Sequence, residues 1–352
     1  MTEKKEYLPG VYFGMPFDEY VKVPAMNASR LKLELISPMD SWARSPKNPV
    51  FGEIDEETKA KNEGRIYHKL VLEGREAFDL EYAPDFEDDP LDKTILRTTD
   101  DIKYALSKCG APVTFKTKAE GASRLLDADP KARILDVMAG QHRAKYPKGV
   151  EFIPAKLLRE VELHNHVIKY NPELRKWLTA GYPEVTVIWD DPEFGIRFKI
   201  RIDYLKLQFS TDLKTFANSK MKRVKLAIMD AFATQKYHIQ SSLYLRGNGM
   251  AKYLVENGQV FGAVDPKWLQ EFTRYPAETF NFIFIQKGPA PVARGSWVRK
   301  DSALDKQGLA LIAEAVKSHQ ATVKNFGDDP PVDLAPAEEL QMDEMPAFIN
   351  YI

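Results

Sequence analysis

Hydrophobic and polar positions alternate along EVTVIW, residues 184–189, and again along FKIRIDYL, residues 198–205, with DDPEFG between them. Neighbouring side chains of a strand point to opposite faces, so the spacing predicts two strands. Phe198, Ile200 and Ile202 would face a core, while Lys199, Arg201 and Asp203 face out. Pro192 and Gly195 are the punctuation of a hairpin. A third short run, FSTDLK, brings Asp212 and Lys214 onto one face, and on adjacent strands Asp203 can sit beside Asp212. Two carboxylates held together repel, and a divalent cation between them makes the arrangement tolerable. The link YLKLQFST lacks Gly, Pro and Asn, so the end of the second strand is not marked in the pattern.

Most of the remaining pattern is helical. NASRLKLELISP reads as one helix capped by Asn27 or Ser29 and stopped at Pro38. A second helix spans about Glu57 to Glu73, with Ile66, Leu70 and Val71 at helical spacing and Gly74 placed to end it. Residues 82–182 read as a helical insertion without strong strand signals, one of its helices opening at Thr98 or Thr99. QKYHIQSSLYLRGNG predicts a helix ending at Gly247 or Gly249. FNFIFIQ, Phe280 to Gln286, predicts a buried strand, and SALDKQGLALIAEAVKSHQATVKNF a long final helix. From Gly327 onward there are seven acids, four prolines and no lysine or arginine, the composition of a tail that orders only on binding.

Composition narrows the chemistry. With 352 residues and 44% hydrophobic content the chain can bury a large core, and the reading is one α/β domain over 1–326 with its helical insertion, followed by the tail 327–352. The net charge of -1 leaves any nucleic-acid contact to a local patch. A single cysteine, Cys109, excludes an internal disulfide framework and multi-thiolate zinc or iron–sulfur sites, and fits a reducing cytoplasm. The first residues lack a signal-peptide apolar segment, and no run approaches about 18 apolar residues, which argues against secretion and membrane insertion. P-loop, GxGxxG, HExxH and GxSxG motifs are all absent. What remains is carboxylates, a histidine and lysines.

Read in order, the N-x-S-x-L segment ending in Ser37-Pro38, Gly64-x-x-x-His68, Glu184, Arg201-x-Asp203, Asp212-Leu213-Lys214-Thr215 and Gln240-x-x-x-Tyr244 form a set. This set resembles the PD-(D/E)XK nuclease superfamily, and within it the RecE (exonuclease VIII) group of phage and prophage exonucleases, related to lambda exonuclease and the RecB nuclease domain. The resemblance implies a restriction-endonuclease-like central mixed sheet flanked by helices. It implies a metal site made by His68, Asp203, Asp212 and the Leu213 carbonyl, Lys214 as the catalytic lysine, Glu184 as a further acid, and Gln240 and Tyr244 beside the DNA. Mg²⁺ prefers such hard oxygen ligands, and an imidazole in the set suits Mn²⁺ as a substitute.

The expected activity is metal-dependent exonucleolytic digestion of double-stranded DNA ends, 5′ to 3′ by resemblance, in a phage- or prophage-encoded protein of the bacterial cytoplasm. The expected product is single-stranded DNA for recombination, the expected assembly a homo-oligomeric ring, and the expected partner a RecT-like annealing protein that the acidic tail could dock. Lys220, Lys222, Arg223 and Lys225 are candidates for phosphate contact, and Arg30 with Ser29 for a 5′ phosphate. Thr98 to Leu126 is loosely like small helix–loop–helix DNA-binding elements. Two other readings stand beside this one: a structure-specific endonuclease of the same fold, and a DNA-binding or phage assembly protein without catalysis.

Overall fold

The computed structural model describes residues 7–48, 59–288, 290–327 and the single residues 337 and 339; nearly all of the acidic tail lies outside them. The chain begins with strand β1 (Gly10–Tyr12) and three short helices, α1 (Phe17–Lys22), α2 (Ala28–Glu34) and α3 (Pro38–Ala43). The Asn27 side chain caps α2. Pro38 opens α3 at its first position behind the Ser37 cap, where a missing N–H costs nothing, and so it starts a helix as well as following one. Next come α4 (Lys59–His68), a π-helical turn (Lys69–Glu73) and α5 (Arg75–Asp79).

The predicted insertion contains β2 (Tyr82–Pro84), α6 (Thr99–Lys108), α7 (Lys118–Ala128), α8 (Leu135–Arg143), β3 (Glu151–Ile153), α9 (Ala155–Tyr170) and α10 (Pro172–Trp177). A capping box between Thr98 and Asp101 opens α6. The three-residue strands β2 and β3 pair in parallel, a sheet too short to leave a period in the sequence. Helices α6 and α7 close a small core of their own around Ile102, Leu106, Leu125 and Ile134. Helices α9 and α10 instead lie on the main sheet.

That sheet is mixed and seven-stranded, in the order β7-β1-β4-β5-β6-β8-β9. Its further strands are β4 (Tyr182–Asp190), β5 (Arg197–Leu205), β6 (Phe209–Phe216), β7 (Val260–Phe261), β8 (Thr279–Gln286) and β9 (Ala293–Arg299). The β4–β5 hairpin is the predicted one, and β8 is the predicted apolar strand, paired in parallel with β6 over its whole length. The remaining helices are α11 (Val224–Thr234), α12 (Tyr237–Glu256), α13 (Pro266–Arg274) and α14 (Ala303–Phe326).

Helices cover both faces. Phe280, Phe282 and Phe284 of β8 pack with Ile200 and Ile202 against α12 and α14, and Ile283 and Ile285 pack with Leu213 against α4, α9 and α10. This double cover changes the meaning of the polar positions on β5. Lys199 does not face solvent: it is 2% exposed, and its ammonium donates to the carbonyls of Tyr20, Val21 and Val23 at the end of α1. Asp203 is also buried, so the alternation of β5 records two covered faces, one of them polar. Helix α12 runs through Gly247 and Gly249 to Glu256. Gly247 is there for packing, since a Cβ at that position would lie 2.4 Å from Ile200 Cδ1 and against Trp189.

Candidate functional site

The β5–β6 ladder is short. It pairs Leu205 with Ser210 and Tyr204 with Thr211, and then stops. One step further along each strand stand Asp203 and Asp212. There the backbone N–H of Leu213 donates to Asp203 Oδ2 at 2.8 Å instead of to a strand partner, and the Leu213 carbonyl faces His68 Nε2 at 3.1 Å. Strands that part in this way free backbone groups beside the acids, and the site forms at that point.

Four of the predicted residues converge here from separate elements. His68, the last residue of α4, places Nε2 3.5 Å from Asp203 Oδ2 and Nδ1 4.0 Å from Glu184 Oε1. One ligand atom each from His68, Glu184 and Asp203 falls within 4.8 Å of the others. Glu184 stands on β4 with a left-handed backbone (φ +55°), a strained conformation of the kind that collects at functional sites. Its carboxylate is bound by Arg201, whose guanidinium also donates to the Met15 carbonyl at 2.7 Å. Asp212, 2% exposed, accepts from Gln240 Nε2 at Oδ1 (2.6 Å). Its Oδ2 lies 2.7 Å from Lys214 Nζ, an ion pair.

The electrostatics are those of crowded acids. Burial, then the Asp212 and Glu184 carboxylates, push Asp203 up to about 7, against the opposing pull of His68 and Lys214. Lys214 is held above the ordinary lysine value because Asp212 and Asp203 outweigh the cost of its burial. A divalent cation fits this set. It would be held by Asp203, His68 and Glu184, whose ligand atoms lie within reach of one another, with the Leu213 carbonyl and Asp212 beside them, all donor types used by Mg²⁺ or Mn²⁺, and would offset the burial and carboxylate repulsion that raise Asp203.

Other predicted residues lie elsewhere or face elsewhere. Tyr244 is buried, and its hydroxyl donates to the Arg201 carbonyl at 2.9 Å. Gln240 and Tyr244, one turn apart on α12, therefore tie β6 and β5 to the same helix across the gap between them. Arg30 is turned inward, its Nε donating to the Ser41 carbonyl, beside a separate cavity of about 280 Å³ that Glu34 and His319 also line. Lys220, Lys222 and Arg223 lie exposed on the loop between β6 and α11, and Lys225 in the first turn of α11; Lys222 is ion-paired to Asp230. Sequence reading passes over Lys32 and Tyr237. Lys32 Nζ and Lys214 Nζ lie 5.1 and 5.3 Å from the centroid of the Tyr237 ring. The signal for Lys32 is present in RLKLE, but nothing there says which face of α2 meets the site.

No protein-family model matches the chain, and no curated protein matches it. A crystal structure from Eubacterium rectale, of a protein provisionally assigned as an exonuclease, is similar over 69% of this chain and 84% of that one, with 15% identity and a TM-score of 0.34. A likeness that distant carries no argument about function. Among the described residues no helix is long and apolar enough to cross a membrane.

Proposed function

We propose that the chain is a divalent-metal-dependent nuclease that digests duplex DNA from its ends. The observation that carries this reading is the meeting of Asp203, Asp212, the Leu213 carbonyl and His68 where β5 and β6 part, with the Lys214 ammonium beside Asp212. Bound Mg²⁺ or Mn²⁺ would supply a nucleophilic water near neutral pH and offset charge on the phosphate. The chain's own groups do the rest. Gln240 fixes Asp212, and the Leu213 N–H fixes Asp203, so both acids keep one orientation. Lys214, on the same face of β6 as Asp212, can orient the attacking water and offset charge on the phosphate in the transition state. Arg201 holds Glu184 at the edge of the centre.

Exonuclease action, 5′ to 3′ polarity, a ring assembly and an annealing-protein partner follow from the sequence resemblance and form part of the proposal. The test is digestion of linear and covalently closed circular duplex with Mg²⁺ or Mn²⁺. Loss of linear DNA alone supports the exonuclease. Nicked circles would favour an endonuclease, and no cleavage of either would leave a DNA-binding protein. Asp212→Ala and Lys214→Ala are expected to lower the rate by at least about 100-fold, as loss of a preorganised electrostatic group does; digestion at the unaltered rate would refute the site.

A further inference from the structure

Away from the acidic centre, a cavity of about 280 Å³ lies between α2, α3, the start of β5 and the last turns of α14. Arg197 lines it, six residues along β5 from Asp203, or about 20 Å at the rise of a strand. Its walls carry donors without acceptors. Arg30 is 9% exposed; its Nε donates to the Ser41 carbonyl, and its two Nη groups have no hydrogen-bond or ion-pair partner among the described residues. Burial holds its guanidinium below the ordinary arginine value, more than the neighbouring Glu34 carboxylate offsets. The indole Nε1 of Trp42 is also buried without an acceptor. Glu34 is engaged elsewhere, accepting from Ser318 at 3.1 Å with His319 Nδ1 3.9 Å away. Arg197 is paired with Asp190. A buried guanidinium without acceptors lowers stability, and a carboxylate is the group whose two oxygens match its fork.

The chain supplies carboxylates next door. Gly327, on the cavity wall, is followed by DDPPVD, residues 328–333, the start of the stretch with seven acids and no lysine or arginine. An extended chain spans at most about 3.5 Å per residue, so Asp329 can stand up to about 7 Å from Gly327 and Asp333 up to about 20 Å, enough to reach either wall. Tethering also gives the segment an effective concentration in the millimolar range, which a free anion would have to match. We propose that the acidic segment after Gly327 docks in this cavity, a carboxylate of Asp328, Asp329 or Asp333 accepting from Arg30 Nη and Trp42 Nε1. Docked there, the segment ties α14 to α2 and α3, and a protein partner that takes the tail must first draw it away from Arg30. The proposal stands whether or not the acidic centre cuts DNA.

The test compares three variants of the full chain: Arg30→Met, then Asp328→Asn, Asp329→Asn and Asp333→Asn together, then all four substitutions. Each is read by urea unfolding and by the indole N–H resonance of Trp42, assigned through Trp42→Phe. The tail substitutions and Arg30→Met are each expected to lower the folding equilibrium constant by about tenfold or more, the worth of a charge-assisted hydrogen bond. Combined, they should lower it by no more than the larger single loss, because both break one contact. The Trp42 resonance should move upfield in the tail variant as its acceptor is lost. The tail substitutions replace no core residue, so they report even where Arg30→Met fails to fold. If they leave the folding constant and the Trp42 resonance unchanged, the proposal fails, and a resonance then moved by added inorganic phosphate gives the cavity to a free anion. Losses that add in full would also overturn it. So would a wild-type resonance that depends on protein concentration, which would assign the cavity to the segment of a second copy.

Discussion

Asp203 concentrates the tension of the centre. Its carboxyl is 8% exposed and raised to about 7 in the metal-free protein, first by burial and then by Asp212 and Glu184. Between the ordinary aspartate value near 3.8 and about 7, the folded chain holds a proton that the unfolded chain has released. Stability contributed by this group is therefore present at low pH and lost as pH rises through that window. Metal-free Asp203→Asn, which carries no charge to bury, should melt higher than the wild type at pH 8, with the gain shrinking toward pH 5. Added Mn²⁺ should raise the wild-type melting temperature and leave that of Asp203→Asn almost unmoved. A variant that melts below the wild type at pH 8 would show that Asp203 is not held against repulsion.

His68, Asp203 and Asp212 are legible in the sequence through the ordered motifs that carry them, since with 51 acids in the chain no single carboxylate stands out by its chemistry. The placements of Arg30, Tyr244 and Lys32 are not. Each sits on a helix whose docking decides which side chain meets the site, and docking depends on the whole core. Tyr244 reaches back to β5, Arg30 to Ser41, and Lys32 toward the Tyr237 ring.

At the scale of elements, α12 is the brace of the centre. It holds β6 through Gln240 and β5 through Tyr244, and α14 presses it from behind. At Gly308 of α14 an added Cβ would lie 2.2 Å from Ser242 Oγ and 2.4 Å from the His238 carbonyl, so the two helices meet without side chain between them. Gly308→Ala should cost about 1–3 kcal/mol in urea unfolding, as overpacking does. It should also weaken Mn²⁺ binding although it touches no ligand. Tyr244→Phe should cost about 1 kcal/mol by removing the hydrogen bond to the Arg201 carbonyl. The extent of α12 is hidden in the sequence because glycines end most helices, and here Gly247 serves packing against Ile200 and Trp189 instead. The strands β1, β7 and β9 are hidden for a different reason. The first two are three and two residues long, and ARGSWVR of β9, at the sheet edge, has too few buried positions to set a period.

The whole molecule is a seven-stranded sheet between two helical layers, with the acids at the parting of its central strands and the basic loop 217–223 leaving the end of β6. If that loop follows DNA phosphates, replacing Lys220, Arg223 and Lys225 together by alanine should flatten the dependence of DNA binding on salt by about one log unit for each phosphate no longer neutralised, with little change in cleavage once DNA is saturating. An unchanged salt slope would place the phosphate-binding groups elsewhere. The α/β class and the presence of a central mixed sheet are legible from the alternating runs. The order of that sheet is not, since β6 joins β8 across three intervening helices and no local pattern encodes a distant pairing.

That distant pairing bears on when the centre comes into being. β6 carries Asp212 and Lys214, yet only two residue pairs join it to β5, while eight join it to β8. β8 ends at Gln286, so the chain must leave the ribosome at least to that residue before the strand bearing these two groups can be fixed in place. A chain still being made, with residue 214 already out, carries all of the proposed metal ligands and none of their arrangement. A fragment ending before Thr279 should accordingly bind no Mn²⁺ by calorimetry, and the capacity to cut would arise only once β8 has been made.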